Sequence, residues 1–132
     1  SLQLTQSVLP HMQAQGWGRV ITIGSVQEEI FNSNFIVYAA LKTAQTHFIC
    51  NLAKEYGSDG ITFNNIAPGA FDTHRNKNFL SNSENRDQLV SKIPSGRLGL
   101  PKDCAGTALL LCSEAGSYIN GSNNFIDGGL RL

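Results

Sequence analysis

The chain has 132 residues, 41% of them hydrophobic and 15% charged, and its 10 basic and 10 acidic side chains cancel at pH 7. This composition fits one compact domain or part of one and excludes a disordered chain. Balanced charge offers no basic stripe to a nucleic acid or an anionic membrane, and no apolar run approaches the ~18 residues of a membrane span.

Three cysteines, Cys50, Cys104 and Cys112, have no CxxC spacing, so neither a disulfide framework nor a zinc site is indicated. His11, His47 and His74 share no metal-ligand spacing, and no metal is expected. A cytoplasmic setting is expected, with no nucleic-acid or membrane partner. The sequon Asn120-Gly121-Ser122 is expected to carry no glycan for the same reason.

Leu2, Leu9 and Met12 recur near helical spacing, so residues 1–14 read as the tail of a helix that Pro10 kinks or ends. Gln15 to Gly18 form a turn. The β-branched run Arg19 to Gly24 reads as a strand buried on both faces, and Ser25 sits where it ends. From Phe35 to Tyr56, Leu41, Ala44, Phe48, Ile49, Leu52, Ala53 and Tyr56 mark one apolar helical face, closed by Gly57.

Ile61 to Ala67 is a second strand, broken by Pro68-Gly69. Residues 70–97 are polar with scattered apolar anchors and read as a lid loop carrying one or two short helices. Pro101 opens a helix through Cys112, and Asn124 to Asp127 form a short last strand before Gly128-Gly129. The alternation implies an α/β fold, a doubly wound parallel sheet with about three strands and flanking helices. Ligands in such sheets bind beyond the carboxyl ends of the strands, where Ser25 and Pro68-Gly69 fall.

Tyr38 and Lys42 stand at i and i+4, so their side chains share a helical face. An ammonium beside a phenol favours the phenolate and makes the tyrosine a usable proton-transfer group, while a strand-end serine hydroxyl can hold a carbonyl oxygen. Hydride must then come from a cofactor, since no side chain supplies it. Tyr-x-x-x-Lys alone is a weak signal, and an aromatic core residue beside a solvated lysine is its competing reading. The combination of Ser25 ending one strand, the Tyr-Lys pair opening the next helix, and Pro-Gly ending the second strand is more specific. Glu28 and Glu29, adjacent acids in the loop after Ser25, read as solvated rather than as substrate ligands.

On these residues the sequence resembles the short-chain dehydrogenase/reductase family. "GRVITIGSV", "YAALK", "NNIAPGAFDT", "GRLGLPKDCAGTALLL" and "INGSNNFIDGG" match family segments in order along essentially the whole chain. The resemblance implies catalytic roles for Ser25, Tyr38 and Lys42: the serine polarises a carbonyl, the tyrosine is the acid or base, and the lysine tunes the tyrosine and bonds the nicotinamide ribose. It also implies that Tyr38, Lys42, Pro68, Gly69, Phe71 and Thr73 bind NAD or NADP, although Phe71 replaces the aliphatic residue common there.

The implied activity interconverts a small-molecule secondary alcohol and a ketone, in a homo-oligomer paired through the long helices. The carboxyl segment has a faint likeness to sugar-acid and polyol dehydrogenases. The family's glycine-rich phosphate turn has no counterpart, and Gly16-Trp17-Gly18 precedes a strand instead of joining strand to helix. Residues 1–132 are therefore expected to be the carboxyl-terminal half of one such domain. The rival expectation is a catalytically inactive fragment or assembly module lacking the cofactor-binding half.

Overall fold

The computed structural model describes residues 1–132. Helix α1 (Leu2–Gln15) runs on through Pro10, against the expected break. Its inner side, with Thr5 buried and Leu9 and Met12 packed on the core, keeps it in place although one intrahelical donor is lost. It ends at Gly16, whose left-handed φ of 65° lets the Gly16 and Trp17 amides bond the Gln13 and Met12 carbonyls.

Strand β1 (Gly18–Ile23), helix α2 (Ile36–Tyr56), strand β2 (Ile61–Pro68) and strand β3 (Asn123–Ile126) complete the frame. The strands form one parallel sheet in the order β1-β2-β3, with Ile23 opposite Ile66 and Pro68 opposite Ile126.

The α/β architecture agrees with the sequence reading, but the three strands are not equally covered. In β2 every residue from Ile61 to Ala67 is buried. The strand β1, expected to be buried on both faces, has only Gly18 and Thr22 buried and leaves Ile23 55% exposed. Its position at the sheet margin explains this, because an edge strand has a neighbour on one side only.

Ile49 and Ala53 of α2 pack on Ile61 and Phe63 of β2 to form the main core, with Leu9, Met12, Phe48, Leu52 and Tyr56 against them. The buried stripe is therefore narrower than the sequence pattern implies: Leu41 and Ala44 lie on the exposed side.

Beyond β2, residues 70–97 hold two short helices, α3 (Lys77–Leu80) and α4 (Ser83–Val90), as expected. This segment is anchored by a second small core of Leu80, Ile93 and Leu98. The helix expected from Pro101 begins as a 3-10 turn (Pro101–Cys104) before α5 (Ala105–Cys112), which packs on β1 and β2. No helix is long and apolar enough to cross a membrane.

Asparagines join β2 to the segment before β3. Asn120 Oδ1 accepts from the Phe63 amide at 2.8 Å while its Nδ2 donates to the Ala53 carbonyl, so the sequon asparagine is tied to both strand and helix. Asn64 Oδ1 accepts from the Ser122 amide and hydroxyl, and its Nδ2 donates to the Ile119 carbonyl. Asn64 is buried, and a buried amide is acceptable in a core when its donors and acceptor are matched in this way.

Candidate active site

The parallel register that sets Ile23 beside Ile66 brings the ends of β1 and β2 to one edge of the sheet. Ser25 and Pro68-Gly69 therefore leave the sheet side by side, at the edge where open α/β sheets bind ligands.

Ser25 is 7% exposed and N-caps a 3-10 turn (Val26–Glu28). Its Oγ accepts from the Gln27 amide at 3.2 Å, which uses a lone pair and leaves the hydroxyl proton free to donate. Glu28 reaches back and accepts from the Ser25 amide at 2.7 Å, closing a capping box. The local Ser-x-x-Glu spacing is the signal that could have found this turn, in place of the solvated reading of Glu28.

Asn32 caps a second 3-10 turn (Ser33–Phe35) by accepting from the Asn34 amide, and this turn delivers the chain into α2. Tyr38 lies in the first turns of the helix, half-buried, with its ring edge-on to Phe35 at 6.0 Å between centroids. Lys42 Nζ stands 5.9 Å from the Tyr38 ring centroid, as the i, i+4 spacing requires. It also donates to the Ile23 carbonyl at 2.6 Å, and Gln45 Nε2 donates to the same oxygen at 3.0 Å. These two bonds fasten the Lys42 and Gln45 side of α2 to β1, two residues before Ser25. An ammonium has three donors, so Lys42 retains capacity for hydroxyls of a ligand after this bond.

Pro68 and Gly69 end β2, where the Gly69 amide donates to the Ile126 carbonyl at 3.0 Å. A β-carbon at position 69 would lie 2.7 Å from Asp127 Cα, so glycine there permits close approach to the end of β3. Phe71 is 8% exposed and forms a parallel bridge with Gly99, its ring filling the space a Gly99 side chain would need. The Phe71 carbonyl accepts from Asn76 Nδ2 at 2.8 Å. Its ring is thus packed into the fold against Gly99. Thr73, half-buried, precedes a 3-10 turn (His74–Asn76) but its hydroxyl does not cap it.

Two cavities flank this edge. One of about 280 Å³ is bounded by Ala70, Phe71, Arg97, Asp103 and Asp127 at the ends of β2 and β3. The other, about 600 Å³, lies between the loop Gln27–Ser33 and the Ala39, Ala40 and Thr43 side of α2. Neither wall contains Ser25, Tyr38 or Lys42. Of the candidate site residues, Lys42 with its spare donors and Thr73 with its uncommitted hydroxyl could meet the hydroxyls or amide of a dinucleotide. None of the strand-to-helix turns provides a glycine-rich pyrophosphate cradle.

The Glu28 side chain departs from its solvated reading. It is half-buried and accepts four hydrogen bonds, from the Ser25 amide, Asn65, Thr46 and Asn123. Glu29 is the more solvated acid and pairs with Arg131 at 3.4 Å. Asn65, Asn123 and Thr46 were not legible as partners of Glu28, because the β2–β3 register and the packing of α2 bring them together.

A family model described as enoyl-(acyl carrier protein) reductase matches residues 1–131. The chain belongs to the short-chain dehydrogenase/reductase family. It is 34% identical over 127 residues to gluconate 5-dehydrogenase of Gluconobacter oxydans (strain 621H), covering 96% of this chain and 50% of that protein. It is 38% identical over 126 residues to 7alpha-hydroxysteroid dehydrogenase of Escherichia coli (strain K12), covering 96% and 49%.

Among solved structures, gluconate 5-dehydrogenase from Burkholderia cenocepacia J2315, in complex with NADP and tartrate, superposes with a TM-score of 0.91. Its sequence identity is 36%, over 96% of this chain and 49% of that one. The chain spans about half the length of the curated relatives it matches.

Proposed function

We propose that this chain carries the proton-transfer half of an NAD(P)-dependent oxidoreductase that interconverts a secondary alcohol and a ketone. The observation that carries the reading is the fastening of Lys42, one turn from Tyr38, to the carbonyl two residues before Ser25. It holds helix and strand end in one constellation at the ligand-binding edge.

In the reduction direction, the Ser25 hydroxyl donates to the substrate carbonyl oxygen and Tyr38 delivers its phenolic proton to that oxygen. Lys42 places positive charge beside the tyrosinate this leaves and holds ribose hydroxyls with its remaining donors. The nicotinamide, when bound, supplies the hydride to the carbonyl carbon, so one hydride and one proton convert ketone to alcohol. Pro68, Gly69, the Phe71 backbone and the Thr73 hydroxyl are the groups at the end of β2 that would hold the nicotinamide end of the cofactor.

The relatives' names cover a sugar acid and a steroid, both secondary alcohols, and support that substrate class in common. Exposed Leu4, Val37 and Leu41 on α1 and α2 support pairing of these helices between copies of the chain.

In the complete protein, Tyr38→Phe is expected to lower kcat by about 10²-fold or more, the usual worth of a positioned proton donor, with substrate KM little changed. Full turnover by Tyr38→Phe on a substrate the parent reduces would overturn the assignment. The rival reading, an assembly module without cofactor, is supported by the half-length match. Calorimetric titration of the 132-residue chain with NADPH separates the two, since saturable binding by the chain alone rules out the module.

A further inference from the structure

The Ser25 hydroxyl can hold a carbonyl oxygen only if the turn that carries it is fixed, and the backbone ladder stops short of it: the last ladder bond of β1 is from the Gly24 amide to the Ile66 carbonyl at 2.7 Å. Past that point the anchor is a side chain. Glu28 Oε1 accepts from the Ser25 amide at 2.7 Å and from Asn65 Nδ2 at 3.4 Å. Its Oε2 accepts from Thr46 Oγ1 at 2.7 Å and from Asn123 Nδ2 at 3.0 Å.

One carboxylate thus joins the end of β1, the middle of α2, the core of β2 and the start of β3. The donors are themselves held: Asn65 is fully buried, its Oδ1 accepts from Thr22 Oγ1 at 2.7 Å, and its Nδ2 also donates to Asn123 Oδ1 at 2.8 Å. Gly24 leaves room for this arrangement, because a β-carbon there would collide with Glu28 Oε1 and Asn65 Nδ2.

We infer that Glu28 is a positioning residue for catalysis, setting the Ser25 hydroxyl against the Tyr38 face of α2. It touches no reacting atom. Thr46 lies one turn beyond Lys42 on the same helix, so a bond from Thr46 and a bond to Ser25 through one carboxylate fix serine and helix relative to each other. A carboxylate suits the task because it is acceptor-only, with lone pairs for four donors. An amide of the same shape keeps only one acceptor oxygen, so it cannot receive all four donors. The inference rests on the proposed role of Ser25, but the anchor itself can be tested without activity.

The test is amide hydrogen exchange on the 132-residue chain, parent beside Glu28→Gln and Glu28→Asp, with kcat and KM measured in the complete enzyme. Glu28→Gln is expected to speed exchange of the Ser25 amide by about tenfold or more, with the β2 amides unchanged as proof of folding. The same variant should lower kcat by roughly 10- to 100-fold at unchanged cofactor KM, the scale of an ångström-sized misplacement, and Glu28→Asp should recover part of both losses.

Unchanged Ser25 exchange in a folded Glu28→Gln chain would overturn the anchor. Loss of β2 protection, or unaltered turnover, would overturn the positioning role. If instead Ser25→Ala kept full turnover, the reading of Ser25 would fail and take the catalytic half of the inference with it, while accelerated exchange would still uphold the anchor.

Discussion

The two strands that point at the site end in different ways. At β1 the sheet gives out early: Ile23 is exposed, and the turn beyond it is held by side chains, Glu28 to the Ser25 amide and Lys42 and Gln45 to the Ile23 carbonyl. At β2 the strand is buried from Ile61 to Ala67, and residues 69–71 beyond it are held largely by backbone, through Gly69 to Ile126 and the Phe71–Gly99 bridge.

The difference separates stability from chemistry. Residues that support the end of β1 can be lost with the sheet intact, and the cost falls on where Ser25 and Tyr38 sit. Residues around β2 carry the fold, so their loss is felt by every group at once.

The largest expected contrast is in stability. Phe63 is fully buried in the main core, and Phe63→Ala should destabilise the chain by about 3–5 kcal/mol through lost burial and the cavity left behind. Ile23→Ala, at a side chain 55% exposed, should cost less than about 1 kcal/mol. Urea unfolding of the two variants checks this, and comparable losses would mean that β1 bears as much of the fold as β2.

A pair of glycines sharpens the comparison. In Gly69→Ala the new methyl meets Asp127 Cα at 2.7 Å, a backbone atom that cannot swing away, so a loss of about 1–3 kcal/mol is expected from overpacking. In Gly24→Ala the obstacles are the ends of the Glu28 and Asn65 side chains. Those can move, so stability should fall less while turnover in the complete enzyme falls more, because the anchor of Ser25 is displaced. Thermal melts and kcat for both variants read the crossover directly, and a shared ranking in the two measurements would dissolve the distinction.

Much of the fold was legible. The β-branched run of β1, the i, i+3, i+4 pattern of α2 and the Pro-Gly stop of β2 are local features, and each appears within a residue or two of its expected place. The adjacency of Tyr38 and Lys42 was legible from helical spacing, and the place of Ser25 from its strand end.

What failed depended on placement in three dimensions. Whether a β-branched strand is central or marginal is a property of the sheet, and burial of β1 on both faces does not hold at Ile23. Pro10 is tolerated because tertiary packing of Thr5, Leu9 and Met12 outweighs one missing donor. Glu28 looked like one of two solvated acids because its partners at positions 46, 65 and 123 are remote in sequence, gathered by the β2–β3 register for Asn65 and Asn123 and by the packing of α2 for Thr46.

The smallest effect concerns the side chains that do contribute at the β2 end. Asp103 accepts from Arg97 at 2.7 and 3.2 Å and from the Leu100 amide at 2.8 Å, steadying the segment in which Gly99 bridges Phe71. The Arg97 guanidinium first, and then the Leu100 amide, hold the Asp103 carboxyl at about 2, below its ordinary 3.8. A pKa depressed in the folded state means that the unfolded chain takes up the proton first as pH falls. The contribution is therefore complete above about pH 4 and is lost between there and about pH 2.

The pair is solvent-facing, with the Arg97 side chain 59% exposed, so screening keeps the effect small. Asp103→Asn should lower the melting temperature slightly at neutral pH, with the gap from the parent closing as pH is brought down toward 2. A gap independent of pH across that window would mean that Asp103 acts as a neutral turn cap, and that the β2 end is held by backbone alone.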